Sequence, residues 1–330
     1  MYRVFRTVSC LFLVLLGVSV LIGKDKPKDP KHDPGQIGSR DVGKGVNFYS
    51  VEREIALGHQ MAEEATREAK MVDDSVVSEY INRIGQTLVH NSDATVPFTF
   101  RVIDSDEINA FALPGGFMFV NSGLIFKAEN EAEFAGVIAH EIGHVAARHG
   151  TRQATRGQLI NYGSIPLIFM GGWAGYAIRQ MATIAVPMGF LKFSRGMEAE
   201  ADLLGLQYMY KAGYDPTEFV NFFEKIQSLE KKKPGAVSRL FSSHPMTGDR
   251  IRAAQKEIQQ DFLARPQYVL DTSEFQGVKK RLIMVQNRRV GSAIPSGPML
   301  RTRSSSKVDL GGSPQAPADE DARPTLKRKD

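Results

Sequence analysis

Cysteine is nearly missing from this 330-residue chain: the only one is Cys10, inside an apolar segment close to the first residue. An internal disulfide is therefore excluded, and so are thiolate metal ligands and a cysteine nucleophile in the body of the chain. Long hydrophobic runs are scarce as well. The run from Val8 to Ile22 is shorter than the roughly 20 residues of a comfortable membrane span. Arg3 and Arg6 precede it and Lys24 opens a charged stretch after it, so residues 1–23 are expected to be a signal peptide or signal anchor, and the protein to be exported. A second uncharged stretch, Gly157 to Ile178, is broken by Asn161, Pro166 and the Gly171-Gly172 pair. Residues 157–193 are read as a hairpin of amphipathic helices over the site, with membrane-surface contact or a membrane span as the alternatives.

An organised basic surface is also lacking. The net charge is +5, but its lysines and arginines are scattered through the N-terminal stretch, the Lys231–Lys233 run and the C-terminal tail, with few aromatics among them. Nucleic acid is not an expected partner. No internal repeat is visible.

What is present is ordinary globular material, 42% hydrophobic and 24% charged, which suits one medium domain with tails. Residues 24–45 are rich in Lys, Asp, Pro and Gly and read as a disordered linker; 46–286 form the domain, and 287–330 a disordered basic tail. Periodicity predicts helices over 51–70, 74–90, 130–149, 194–212, 246–261 and 273–285, and another opened by Asp215-Pro216-Thr217-Glu218. Strands are expected at 98–103 and 117–121, with Ala110–Leu113 leading into a Pro114-Gly115-Gly116 turn before the second so that a hairpin-like pair results, and a short strand at 268–270. Asn130 and Glu133 form a capping-box-like start for the 130–149 helix, and Gly150 is its expected left-handed stop.

The chemistry lies in that helix. His140-Glu141-Ile142-Gly143-His144 puts two imidazoles four residues apart on one face, where both reach one ion, and Glu141 beside a water activated there. Zinc suits such a site because it is redox-inert and keeps an exchangeable fourth position. For the third ligand, a continuation as HExxHxxGxxH fails: Ala147 stands where Gly is needed, Gly150 where His is needed, and His149 is one place out of register. A carboxylate from the later Ser194–Asp202 segment is the other solution. Glu198 and Asp202 share a helix face, so one can ligate while the other takes a hydrogen bond from a ligating imidazole; Glu200 points roughly 160° away and is the weaker candidate.

HEIGH, a later SRxxExEAD, NAFALPGG upstream and SHPxxxxRI downstream resemble, in order and over about residues 46–260, the HtpX and CAAX-prenyl-endopeptidase family of gluzincin metallopeptidases, and within it the exported BepA-like branch. The resemblance implies an α+β, mostly helical, zincin-like metallopeptidase domain with a small sheet. It implies one Zn2+ per chain held by His140, His144 and Glu198, with Glu141 as base and Asp202 behind the ligands. It also implies a periplasmic or envelope location in a bacterium and protein or peptide substrates. Strand 117–121, with Gly116, Phe117, Met118 and Phe119, is the expected edge that takes up substrate by β-augmentation. His244, in Ser243-His244-Pro245, is expected to hydrogen-bond the oxyanion or to cap the zinc, and Arg250 to anchor that segment. The rival reading is a zinc-bound chaperone or assembly factor of the envelope that grips unfolded proteins and cuts little or not at all.

Overall fold

The computed structural model describes residues 30–163, 193–232, 244–245 and 247–292. The expected signal segment, most of the 157–193 stretch and the tail beyond Ser292 lie outside them. Among the described residues no helix is long and apolar enough to cross a membrane.

Helices α1 (Val51–Glu68) and α2 (Ser75–His90) open the domain, capped by Ser50 and Asp74, whose side chains accept from Arg53 N–H and Val77 N–H. Strands β1 (Thr99–Ile103), β2 (Ala110–Leu113) and β3 (Phe117–Asn121) form one sheet in the order β1-β3-β2. Residues 110–113, which lead into the expected turn, are themselves a strand, and β2 and β3 form an antiparallel hairpin turned through Gly115 and Gly116 at φ 78° and 92°. β1 runs parallel to β3 on its other side. A short helix, α3 (Ser122–Lys127), follows.

α4 (Glu131–Ala146) is buried from Glu131 through Val145, because elements surround it on every side. Its start follows the sequence: Asn130 accepts from Glu133 N–H, and Glu133 reaches back to Glu129 N–H and to Lys225. Its end does not. The helix stops at Ala146, the left-handed residue is Arg148 (φ 55°) rather than Gly150, and α5 (His149–Gly163) starts at once. Arg148 is held there by Glu54 (2.8 Å) and the Tyr49 carbonyl (2.7 Å), partners no local signal reveals.

α6 (Arg195–Ala212) packs along α4, capped by Ser194 and stopped by Gly213 at φ 92°. The two helices approach closely because both are bare at the contact. A Cβ on Gly205 would lie 3.0 Å from the His140 backbone, and one on Gly143 3.0 Å from the Ala201 carbonyl. Helices α7 (Thr217–Lys232), α8 (Gly248–Asp261) and α9 (Ser273–Ser292) complete the domain. α9 continues past its expected end at residue 285, and 268–270 is no strand: Val269 makes only one bridge, to Tyr214. Glu131, buried at the head of α4, accepts from the hydroxyls of Tyr80, Tyr214 and Thr272 and so ties α2 to the residues just after α6 and just before α9.

The linker expectation is overturned for residues 30–45. They pass over the domain as a strap with two short turns, Pro30–His32 and Pro34–Gln36, and with Ile37 and Val42 buried. Polar anchors outside the segment hold it: Arg40 meets buried Asp93 (2.9 Å) and Gln207 (2.6 Å), and Lys31 meets Glu200 (2.7 Å).

α1 docks on the hairpin turn through Gly58, where an added Cβ would lie 1.7 Å from the Pro114 carbonyl oxygen. Gly58→Ala should cost about 1–3 kcal/mol by overpacking, outweighing alanine's better helix propensity. The midpoint of urea unfolding checks it.

Candidate metal centre

His140 and His144 leave α4 on the face that meets α6, and their Nε2 atoms lie 3.0 Å apart. Glu198, in the first turn of α6, comes within 3.6 Å of both. His244 closes the group from the segment before α8, with Nδ1 2.9 Å from Glu198 Oε1 and 3.4 Å from His140 Nε2. All four residues are buried, and one ligating atom from each lies within 4.8 Å of the others. Glu141 faces the sheet instead. Its Oε2 accepts from the main-chain N–H of Ala112 on β2 (3.2 Å), while its Oε1 is buried with no hydrogen-bond partner among the described residues, 3.6 Å from His244 Nε2.

Behind the cluster, Asp202 Oδ1 lies 3.1 Å from His140 Nδ1, and both its oxygens accept from Arg250 at 2.6 Å. Arg250 also reaches Glu198 Oε2 (3.0 Å) and the Pro245 carbonyl (2.8 Å), so it joins both carboxylates to the chain that carries His244.

Burial sets the baseline of the electrostatics and the partners decide each outcome. For His140, burial opposes the charged form, but Asp202 and Glu198 outweigh it and push the imidazole up to about 9. His144, without a direct carboxylate partner of comparable strength, is driven well down by burial and by the charge on its neighbours. Burial also raises Glu141, the direction a general base near neutral pH requires. Glu198 and Asp202 resist the same burial because the histidines and Arg250 hold both below the usual carboxylate range.

A model of peptidase family M48 matches residues 75–258. The chain belongs to peptidase family M48. It is 30% identical over 273 residues to the beta-barrel assembly-enhancing protease of Yersinia pestis, covering 79% of this chain and 55% of that one. It is 32% identical over 263 residues to the putative beta-barrel assembly-enhancing protease of Vibrio cholerae, covering 77% and 52%. A mitochondrial metalloendopeptidase of Saccharomyces cerevisiae is 33% identical over 153 residues, 45% of this chain and 43% of its own. The chain thus spans about half the length of the curated relatives it matches.

For an M48 metallopeptidase the donor set is chemically apt. Three imidazoles and a carboxylate, buried together with lone pairs converging, make a poor apolar core and a good divalent-metal site.

One expectation is corrected here. β3, with Gly116, Phe117, Met118 and Phe119 at its start, is the middle strand, paired on both sides, and has no free edge for a substrate. The edge beside the centre is β2, where Ala112 already turns its N–H toward Glu141. The outer side of β1 is taken up by residues 70–72, through Val72 N–H to the Val102 carbonyl and Asp104 N–H to the Lys70 carbonyl.

Sequence reasoning also set aside His149 and Glu200. His149 is wholly buried, its Nδ1 3.0 Å from His144 Nδ1 and its Nε2 3.1 Å from Glu200 Oε2. On one continuous helix His149 is out of register with the site, and the break at Arg148 is what brings it back.

Proposed function

We propose that this M48 chain is a zinc-dependent endopeptidase that hydrolyses peptide bonds of unfolded or misassembled proteins of a bacterial cell envelope. The observation that carries it is the buried His140–His144–Glu198–His244 donor set lying beside Glu141 and the edge of β2, which no strand among the described residues covers. Zinc is the metal best matched to three imidazoles and one carboxylate in a four-donor site. Bound there, it supplies Lewis acidity to a water and to the scissile carbonyl.

The remaining work falls to the protein. β2 takes the substrate as an added strand through the outward main-chain groups of Ala110 and the carbonyl of Ala112, whose N–H stays with Glu141; such pairing reads backbone and tolerates many side chains. Glu141 Oε1, buried and without a hydrogen-bond partner among the described residues, removes a proton from the attacking water. The same carboxyl then passes that proton to the leaving amine as the C–N bond breaks. Asp202, steadied by Arg250, orients His140 through Nδ1 and leaves Nε2 to the metal.

His244 acts as the fourth donor of a closed resting state, which its 2.9 Å approach to Glu198 supports. His244→Ala should keep the metal on three remaining donors and raise cleavage of an unfolded protein several-fold. A fall in kcat at unchanged KM would assign His244 to the oxyanion instead.

The envelope assignment rests on the basic-then-apolar N-terminal segment and on the relatives named for β-barrel assembly. Casein digestion by the full chain, with and without a chelator and with metal content measured on each sample, tests the reading. Chelator-sensitive cleavage with one zinc per chain supports it. A folded protein that takes up no zinc sinks it.

A further inference from the structure

The mechanism above uses Asp202 to orient one ligating imidazole and leaves the other, His144, unexplained. His144 Nε2 faces the cluster, so its proton belongs on Nδ1. Among the described residues that Nδ1 meets no carboxylate and no carbonyl; it meets His149 Nδ1 at 3.0 Å. Two nitrogens at that distance need one proton between them, so His149 Nδ1 is the acceptor and the His149 proton lies on Nε2. Nε2 faces Glu200 Oε2 at 3.1 Å, an acceptor at the correct end. Donors and acceptors along His144, His149 and Glu200 therefore run in one direction only. Beyond them, Glu200 Oε1 accepts from Lys31 of the strap (2.7 Å), and Arg152 approaches Oε2 at 3.4 Å.

The backbone is bent to make this chain. Had α4 run on to residue 150, His149 would sit five residues past His144, roughly 140° around the helix and facing elsewhere. The left-handed turn at Arg148, pinned by Glu54 and Tyr49, restarts the helix and lays the His149 ring edge-on to His144, with centroids 4.9 Å apart. A polar ring is wholly buried there at the cost of a non-glycine residue at positive φ.

We propose that His149 and Glu200 are positioning residues for the metal centre. They form a relay that fixes the tautomer and ring angle of His144, as Asp202 does directly for His140, and through Lys31 they tie the N-terminal strap to the centre. This inference rests on the reading that His140, His144 and Glu198 hold a metal.

The test is zinc release to a competing chelator from the zinc-loaded full chain, alongside metal content and the melting temperature of the metal-free form. His149→Phe keeps a ring in the slot and deletes both hydrogen bonds. His149→Gln restores them, because its amide oxygen can accept from His144 and its amide N–H donate to Glu200. The expected result is zinc release on the order of 10- to 100-fold faster for His149→Phe. Gln should return the rate to within about threefold of wild type, with little change in metal-free melting. Release at the wild-type rate from folded His149→Phe overturns the relay while leaving the metal centre intact. Faster release that Gln does not slow reduces His149 to packing and also overturns it. If His149→Phe does not fold, Glu200→Ala at the less buried end decides: faster release supports the relay, and an unchanged rate overturns it. A folded wild type that takes up no zinc removes the metal reading itself, and the relay with it.

Discussion

Glu141→Gln should lower kcat for casein or a comparable unfolded substrate by about 10²- to 10⁴-fold, with KM little changed and zinc still at one per chain. The substitution leaves His140, His144, Glu198 and His244 untouched, and the Gln side chain still offers an oxygen to Ala112 N–H, so the loss is confined to proton transfer. Stability should move the other way. Burial raises the Glu141 carboxyl above its ordinary value of 4.5, so the folded state holds that proton more tightly than the unfolded chain. Ionised Glu141 therefore destabilises the fold as pH rises from about 4.5 through its folded pKa, and a neutral amide is free of that cost. Metal-free Glu141→Gln should melt at or above wild type at pH 7, with the difference closing toward pH 4. A variant that loses zinc together with activity would instead make Glu141 structural.

The second large effect is expected at Arg250. Arg250→Met keeps most of the side-chain volume and removes the partner of two buried carboxylates, Asp202 and Glu198. Breaking a buried pair from one side costs roughly 3–5 kcal/mol, because the remaining charge is left unpaired in a poorly solvating interior. The pH dependence has a definite sign. Arg250 and His140 hold Asp202 below its ordinary value of 3.8 against the effect of burial. The stabilisation is therefore complete above about pH 4 in the wild type and fades as pH falls through the folded pKa. The gap between Arg250→Met and wild type should be widest at neutral pH and shrink below about pH 4. Urea unfolding of the metal-free proteins at pH 7 and pH 3.5 measures both. Equal stabilities at pH 7 would show that the pair contributes nothing. Because Arg250 also holds the Pro245 carbonyl, displaced His244 should accompany the loss.

Much of this protein could be read along the chain because much of it is local. The 3.6-residue period places His140 and His144 on one face of α4 whatever surrounds it, and Glu141 on another. Caps at Ser50, Asp74, Asn130 and Ser194 act within three residues, so the helix starts fall close to their expected places. Period also narrowed the α6 carboxylates to Glu198 and Asp202 but had no means of ranking them without the resemblance. In the fold, Glu198 stands among the imidazoles and Asp202 lies behind His140 against Arg250.

What went unread depends on partners far away in the chain. Residues 30–45 carry too few apolar groups to bury a core of their own, and composition alone gives a solvated linker. They are ordered by Asp93, Gln207 and Glu200, polar residues 53 to 169 positions distant. β2 and β3 look alike as apolar strands, and only the parallel pairing of β1 with β3 makes β3 central and leaves β2 as the edge beside Glu141. The sequence by itself determined the helix of the candidate metal ligands, the candidate base, the candidate carboxylates and the family resemblance, since each is a matter of spacing within one element or of motif order. Tertiary structure alone decided which strand is the edge among the described residues, how the strap is held and that His149 returns to His144. Those outcomes follow from strand order, from buried polar partners and from one left-handed residue pinned by Glu54, and a local pattern carries no information about any of the three.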